Sequence, residues 1–291
     1  MSHALRLFVG VLLIAMHGPV MADDDRLQRI RTAQTLRVCI WPDYYGISFR
    51  NPKTLQLSGI DADLARELAR DLGVEAEFVD SAFASLIEDV LGDRCDIAMF
   101  AIGITPARQQ HLRFTQPYLA SDIYAITTRT NRRIRDWSDI DQPGTVVAVA
   151  KGTLHEAVMR EKLQHAELRV LDTPHSREQE VQSGRADIFM TDYAYSRRML
   201  DNHDWARLVS PTQSDQNTGY TWMTTPGIDQ HDWERIVSPS ASYHLTPYAW
   251  AMAPGDDAFH ARVERFITAI KTDGRLLEAA RRHGLEPIVV H

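Results

Sequence analysis

Cysteine is scarce in this chain. Cys39 and Cys95 are the only two in 291 residues, and neither belongs to a Cys-x-x-Cys, which argues against redox catalysis and against a zinc site. Basic clusters are missing as well. With 32 Lys and Arg against 39 Asp and Glu the net charge is −7, a balance that disfavours nucleic acid or an anionic membrane as partner. No Gly-x-Ser-x-Gly, no His-Glu-x-x-His and no phosphate loop occurs. Histidines such as His155, His165 and His175 lack metal-ligand spacing. No catalytic residue, metal or cofactor is therefore expected.

One apolar run stands out, Leu7 to Met16, inside "MSHALRLFVGVLLIAMHGPVMA". An early cation at Arg6, that short run and Val-Met-Ala before an acidic start read as a secretory signal peptide over residues 1–22, cleaved after Ala22. As a membrane anchor the run is too short. No other run approaches transmembrane length, so a soluble protein exported to a bacterial periplasm is expected. In an oxidising compartment an even pair of cysteines favours a Cys39–Cys95 disulfide over two buried thiols.

The rest alternates strand and helix. "TLRVCIW" reads as a buried strand, and "GIDADLARELARDLG" as a helix capped by Asp61 with Leu64, Leu68 and Leu72 on one face. Strand "EAEFV", helix "SLIEDVLGDR" and strand "CDIAMF" follow. The scheme repeats with "TVVAVA", "LHEAVMREKLQ", "LRVL", "REQEVQSGR" and "ADIFM", then a helix from about Tyr193. Such alternation predicts mostly parallel, doubly wound α/β sheets. Arg94-Cys95-Asp96-Ile97-Ala98-Met99 and Arg185-Ala186-Asp187-Ile188-Phe189-Met190 share Arg-x-Asp-Ile-x-Met, an echo that two lobes of one architecture would explain. Residues 213–248 break the rhythm and carry Tyr220, Trp222, Trp233, Tyr243 and Tyr248. A strand "YAWAMAP" and two helices close the chain; Phe259, Val263, Phe266 and Ile270 form a core stripe.

Ligands of open α/β sheets sit beyond the carboxyl ends of strands, which directs attention to "GITPAR". Thr105 can cap a short helix with Pro106 in its first turn, fixing Arg108 one turn along. A buried arginine needs an anion. That anion is either an acid of the same lobe or a ligand.

The motifs together resemble the family 3 periplasmic solute-binding proteins, polar amino acid receptors of ABC transporters. "GIDADLARELA", "CDIAMFAIGITPARQQHLRFTQPY", "AKGT" and "GRADIFMTD" are similar to that family's motifs, in its order. The resemblance implies a two-lobed type II clamshell with two hinge-crossing strands, near Thr127–Thr130 and Tyr248–Met252. One lobe would be 23–128 plus 249–291 and the other 129–248. It implies that Arg108 grips a ligand carboxylate, which the backbone N–H groups of Gly152 and Thr153 also cradle, and that Asp192 takes the α-ammonium, unless it only caps a helix. Thr105 and Gly103 lie beside that grip, and Trp41, Tyr44 or Tyr45 would lie against the ligand. Ala101, Gly103 and Leu154 replace hydroxyls common in the family, which weakens the amine end. A monomer binding an amino acid or small carboxylate and docking ABC permease subunits is expected.

Two other functions fit parts of the sequence. The second lobe also resembles cyclohexadienyl dehydratase, which carries a glutamate three residues after the aspartate where this chain has Tyr195, a poor acid at neutral pH. Val38-Cys39 and Arg94-Cys95-Asp96 are similar to binding proteins associated with quinoprotein dehydrogenases, which implies an accessory or sensory role.

Overall fold

The computed structural model describes residues 25–211 and 243–291. The expected signal peptide and Tyr220, Trp222 and Trp233 lie outside the described residues.

The first lobe starts with helix α1 (Asp25–Ala33) and strand β1 (Thr35–Ile40), then a small three-stranded sheet of β2 (Asp43–Tyr44), β3 (Ser48–Arg50) and β4 (Leu57–Ser58). Helix α2 (Ile60–Leu72), β5 (Glu75–Asp80), α3 (Leu86–Leu91), β6 (Ile97–Gly103), α4 (Pro106–Gln109), β7 (Arg113–Phe114) and β8 (Leu119–Ser121) follow. The second lobe holds β9 (Tyr124–Thr128), β10 (Val146–Ala150), α5 (Leu154–Lys162), β11 (Glu167–Leu171), α6 (Pro174–Gln182), β12 (Ile188–Thr191), α7 (Tyr193–Asn202) and β13 (Ala206–Val209). The chain then returns to the first lobe through β14 (Thr246–Met252), α8 (Asp257–Thr272) and α9 (Arg275–Arg282).

The two main sheets share one plan. In the first the order is β5-β1-β6-β14-β7, with β8 also on β14; in the second it is β11-β10-β12-β9-β13. Each has three parallel strands joined through helices and an antiparallel fourth, as parallel neighbours require a crossover. All seven residues of β6 are buried, the mark of a strand covered on both faces. In the second sheet Val147, Val149, Ile188 and Met190 pack on one face, and Ala148, Phe189 and Ile126 on the other, the period-2 alternation of strands.

The sequence echo is a shared joint. Asp96 Oδ2 accepts the Arg37 backbone N–H at 2.9 Å while the Asp96 N–H donates to the Arg37 carbonyl at 2.9 Å. In the second lobe Asp187 Oδ2 accepts the Val146 N–H at 2.8 Å, and the Asp187 N–H donates to the Val146 carbonyl at 2.9 Å. Arg94 likewise pairs with Asp89, and Arg185 with Glu180. Each aspartate anchors the opening of its central strand to the neighbour, setting the register Val38↔Ile97 in one lobe and Val147↔Ile188 in the other. Cys39 and Cys95 are joined, with Cα atoms 5.5 Å apart, because that register sets Cys39 beside β6.

Two expectations need correction. Asp61 does not cap α2, whose N-cap is Gly59. Asp61 is fully buried and accepts the Ala101 N–H at 2.9 Å, Tyr118 Oη–H at 2.6 Å and Trp250 Nε1–H at 2.9 Å. Burial still pushes its carboxyl up to about 6 against those three donors. The lobe crossings also come earlier than expected. β8 ends at Ser121 in the first sheet, β9 begins at Tyr124 in the second, and β14 is already in the first sheet at Thr246. Buried Asp122 ties the crossings together by accepting N–H groups from Tyr243 at 2.9 Å and His244 at 2.8 Å.

Candidate ligand-binding cleft

The cleft lies between the lobes, beyond the carboxyl ends of β1, β6, β10 and β12. Thr105 Oγ1 accepts the Arg108 N–H at 3.3 Å and Pro106 opens the four-residue α4, so the short helix forms as its cap and proline dictate. Arg108 is 7 % exposed. Its guanidinium donates to the Gly103 carbonyl at 2.9 Å and, across the cleft, to the Gly152 carbonyl at 3.1 Å, and it lies 5.5 Å from the Phe83 ring centre. Among the described residues it meets no carboxylate. Desolvation lowers its pKa to about 10, opposed only by the phenols of Tyr248 and Tyr44.

Gly152 and Thr153 reach the cleft differently from expectation. The Gly152 N–H already donates to Glu156 Oε2 at 2.7 Å, and the Thr153 N–H to the Ala150 carbonyl at 3.3 Å. Thr153 Oγ1 caps α5 through the Glu156 N–H. The helix satisfies its own first-turn donors, and Gly152 presents a carbonyl instead. Its φ of +75° suits glycine, and a Cβ there would lie 2.5 Å from Ala84 Cα in the first lobe.

Asp192 does cap a helix, its Oδ1 accepting the Tyr195 N–H of α7 at 2.9 Å. Its Oδ2 accepts the Tyr44 hydroxyl from the other lobe. Burial raises its pKa even so. Trp41 and Tyr44 line the cleft with ring centres 4.9 Å apart, whereas Tyr45 is 40 % exposed and packs on Phe49. Gly103 is also in the lining, beside Ala101, whose φ of +48° is strained backbone for a residue with a Cβ. The Asp61 carboxylate on the Ala101 N–H holds that turn.

Sequence reasoning missed Phe83 and Arg177, and gave His155, Tyr195 and Tyr248 no place in the ligand pocket, though all five are in the lining. His155 and Arg177 lie in the first turns of α5 and α6, just past β10 and β11; position after a strand end was the available signal. His155 is 6 % exposed, and among the described residues neither ring nitrogen makes a hydrogen bond of normal geometry, the Thr191 backbone being only a weak partner. Burial, with Arg177 and Arg108 nearby, lowers its pKa to about 3 against the Thr191 backbone. Tyr195 donates its hydroxyl to buried Glu178. The enclosed free volume is about 20 Å³, room for a water or two. No group of three or more His, Cys, Asp or Glu among the described residues could hold a metal.

Two lobes of repeated α/β plan, two crossings and a buried, partly polar cleft between them define a clamshell binding protein. The chain belongs to the bacterial extracellular solute-binding proteins of family 3, whose model matches residues 36–286. It is 32 % identical over 206 residues to cyclohexadienyl dehydratase of Pseudomonas aeruginosa, covering 70 % of this chain and 76 % of that one. It is 28 % identical over 188 residues to the L-cystine-binding protein TcyJ of Escherichia coli (strain K12), covering 63 % and 70 %. Among solved structures it is similar to the ancestral amino acid-binding protein AncCDT-1, a precursor of cyclohexadienyl dehydratase. That match has a TM-score of 0.71 at 27 % identity and covers 88 % and 98 % of the two chains.

Proposed function

We propose that this protein is a periplasmic receptor that captures an amino acid or related small carboxylate between its lobes and delivers it to an ABC permease. Arg108 carries the reading: a buried guanidinium in the cleft that bonds carbonyls and, among the described residues, pairs with no acid. Two paired N–H donors fit a carboxylate, and an incoming carboxylate would take the place of the Gly152 carbonyl. With free volume for only a water or two, an amino acid enters after the lobes part. The hinge we propose is at residues 122–123 and 243–245, with closure as a rigid-body rotation. The roles of Thr105 and Thr153 are then to fix the helices that carry Arg108 and Gly152, while Trp41 and Tyr44 wall the pocket.

Tyr195 favours a receptor over a dehydratase-like enzyme. Its hydroxyl donates to Glu178, and burial pushes its pKa well up from the ordinary phenol value, so it offers a substrate no proton at neutral pH.

Arg108→Ala should weaken binding of the cognate carboxylate by about 2–5 kcal/mol, the usual range when one partner of a desolvated charge pair is removed. Titration calorimetry on wild type and variant, with thermal melts to check folding, measures it. Equal affinity would reduce Arg108 to a structural role and end the carboxylate reading.

A further inference from the structure

The cleft holds a second guanidinium. Arg177 is 3 % exposed and lines the same cavity as Arg108. It is clamped between aromatic rings, 4.9 Å from the centre of Phe189 and 4.4 Å from that of Tyr195. Its terminal nitrogens donate to the Met190 carbonyl at 2.7 Å and to Thr191 Oγ1 at 3.4 Å, and its Nε is buried with no acceptor. No carboxylate among the described residues pairs with it.

The acids that could neutralise it are engaged elsewhere. Glu178, next in sequence, holds the Tyr195 hydroxyl on one oxygen and His175 Nδ1 at 3.2 Å on the other. Asp192, in the lining, holds the Tyr44 hydroxyl and the Tyr195 N–H and meets the Arg177 charge only through space, without a direct ion pair. His155, on α5 of the same lobe as Arg177, lines the cavity too; it is neutral, and among the described residues its ring nitrogens make no hydrogen bond of normal geometry, the Thr191 backbone being their one weak partner. Among the described residues the cavity lining therefore has two guanidinium groups, the Asp192 carboxylate already hydrogen-bonded on both oxygens, and a weakly held imidazole able to donate.

A buried charge without an opposite charge is unfavourable. A ligand with one carboxylate answers Arg108 and leaves Arg177 with neutral acceptors and the indirect charge of Asp192. A ligand with a cationic side chain adds repulsion. Two acidic groups on one small solute answer both arginines.

We propose that the ligand is a small dicarboxylate, its first carboxylate on Arg108 and its second on Arg177 with a hydrogen bond from His155. The inference rests on the receptor reading of Arg108 and adds the substrate class. The chemistry is shared by acidic amino acids and by dicarboxylates that lack an amine.

The test is calorimetry of the mature protein against L-glutamate, L-aspartate, glutarate and succinate, with L-glutamine, L-asparagine, L-arginine and L-lysine as comparison ligands. Each acid should bind at least about tenfold tighter than its amide, because the amide leaves a buried guanidinium uncompensated. Glutamate tighter than glutarate supports the proposal with the ammonium recognised at Asp192; equal affinities support it with no amine recognition. Arg177→Met, which keeps an apolar stem between the two rings, should erase the acid-over-amide preference, whereas Arg108→Ala should weaken all carboxylates alike. If that variant does not fold, glutamate against glutamine on wild type decides. Neutral or basic amino acids binding as tightly as the diacids would overturn this inference and leave the receptor reading intact. A folded Arg177→Met with its acid preference intact would overturn it too. Wild type that binds no small carboxylate would overturn both.

Discussion

His155 is a residue whose cost appears only against solvent. In the unfolded chain it takes a proton near pH 6.5; in the folded protein burial beside two arginines holds that step down at about 3. Its folded pKa is depressed, so the unfolded state binds the proton first. Stability is present above pH 6.5 and is lost as pH falls towards 3. Asp61 slopes the other way, since its raised pKa of about 6 makes the folded state the better proton binder between roughly pH 4 and 6. Comparing variants separates them. Going from pH 6.5 to 4.5, wild type should lose up to about 2–3 kcal/mol more than His155→Leu, near the linkage limit of about 1.4 kcal/mol per pH unit. Urea unfolding of both proteins at the two pH values measures this, and parallel losses would show that His155 takes its proton in the fold.

At the level of elements, the strand and helix alternation was readable because long periodic segments carry their own pattern, and Arg-x-Asp-Ile-x-Met marked a joint that the two lobes share. Its meaning, an aspartate clasping the backbone of the adjacent strand, needed the sheet register. The strands β2, β3 and β4 are two or three residues long, too short for any period. The site divides in the same way. Arg108, Asp192, Trp41 and Tyr44 sat in recognisable motifs, whereas Arg177 and His155 are ordinary first-turn residues that only the folding of α5 and α6 over the cleft brings together. Gly152 and Thr153 were found, but with their N–H groups turned to Glu156 and Ala150. The disulfide closes a separation of 56 residues. Replacing both cysteines by alanine should remove about 2–4 kcal/mol from unfolding, close to the chain-entropy figure for such a loop. Denaturant titrations of wild type and Cys39→Ala/Cys95→Ala give the difference; no change would place the stabilisation wholly in packing.

For the whole molecule, closure is set by how near the lobes can come. Gly152 touches the Phe83–Ala84 turn so closely that a Cβ would stand 2.5 Å from Ala84 Cα and 2.6 Å from Ala84 N. Both atoms are backbone, and the easiest relief is for the lobes to part. Gly152→Ala should therefore hold the clamshell open, with a larger radius of gyration by small-angle scattering and weakened ligand affinity. The left-handed φ adds about 1–2 kcal/mol of strain, visible as a lower melting temperature. A variant as compact as wild type with unchanged affinity would mean that the Ala84 turn yields instead. Cross-lobe bonds reinforce the closed form: Arg108 to the Gly152 carbonyl, Tyr44 to Asp192, and Arg198 to Asp43 at 3.1 Å. A ligand bound as proposed would compete with the first two, so its net affinity would be the difference between its own contacts and those it replaces.

The carboxylate of Asp122 holds both chain crossings through three backbone N–H groups, those of Ile123, Tyr243 and His244. Two connections that could have flexed separately are thereby coupled into one mechanical degree of freedom. About the hinge proposed above, such coupling would oppose twist of one lobe over the other and leave the opening angle as the main coordinate. A single pair of dyes, one on each lobe, would then follow the full cycle, which makes the protein a natural scaffold for a one-coordinate optical sensor of its solute.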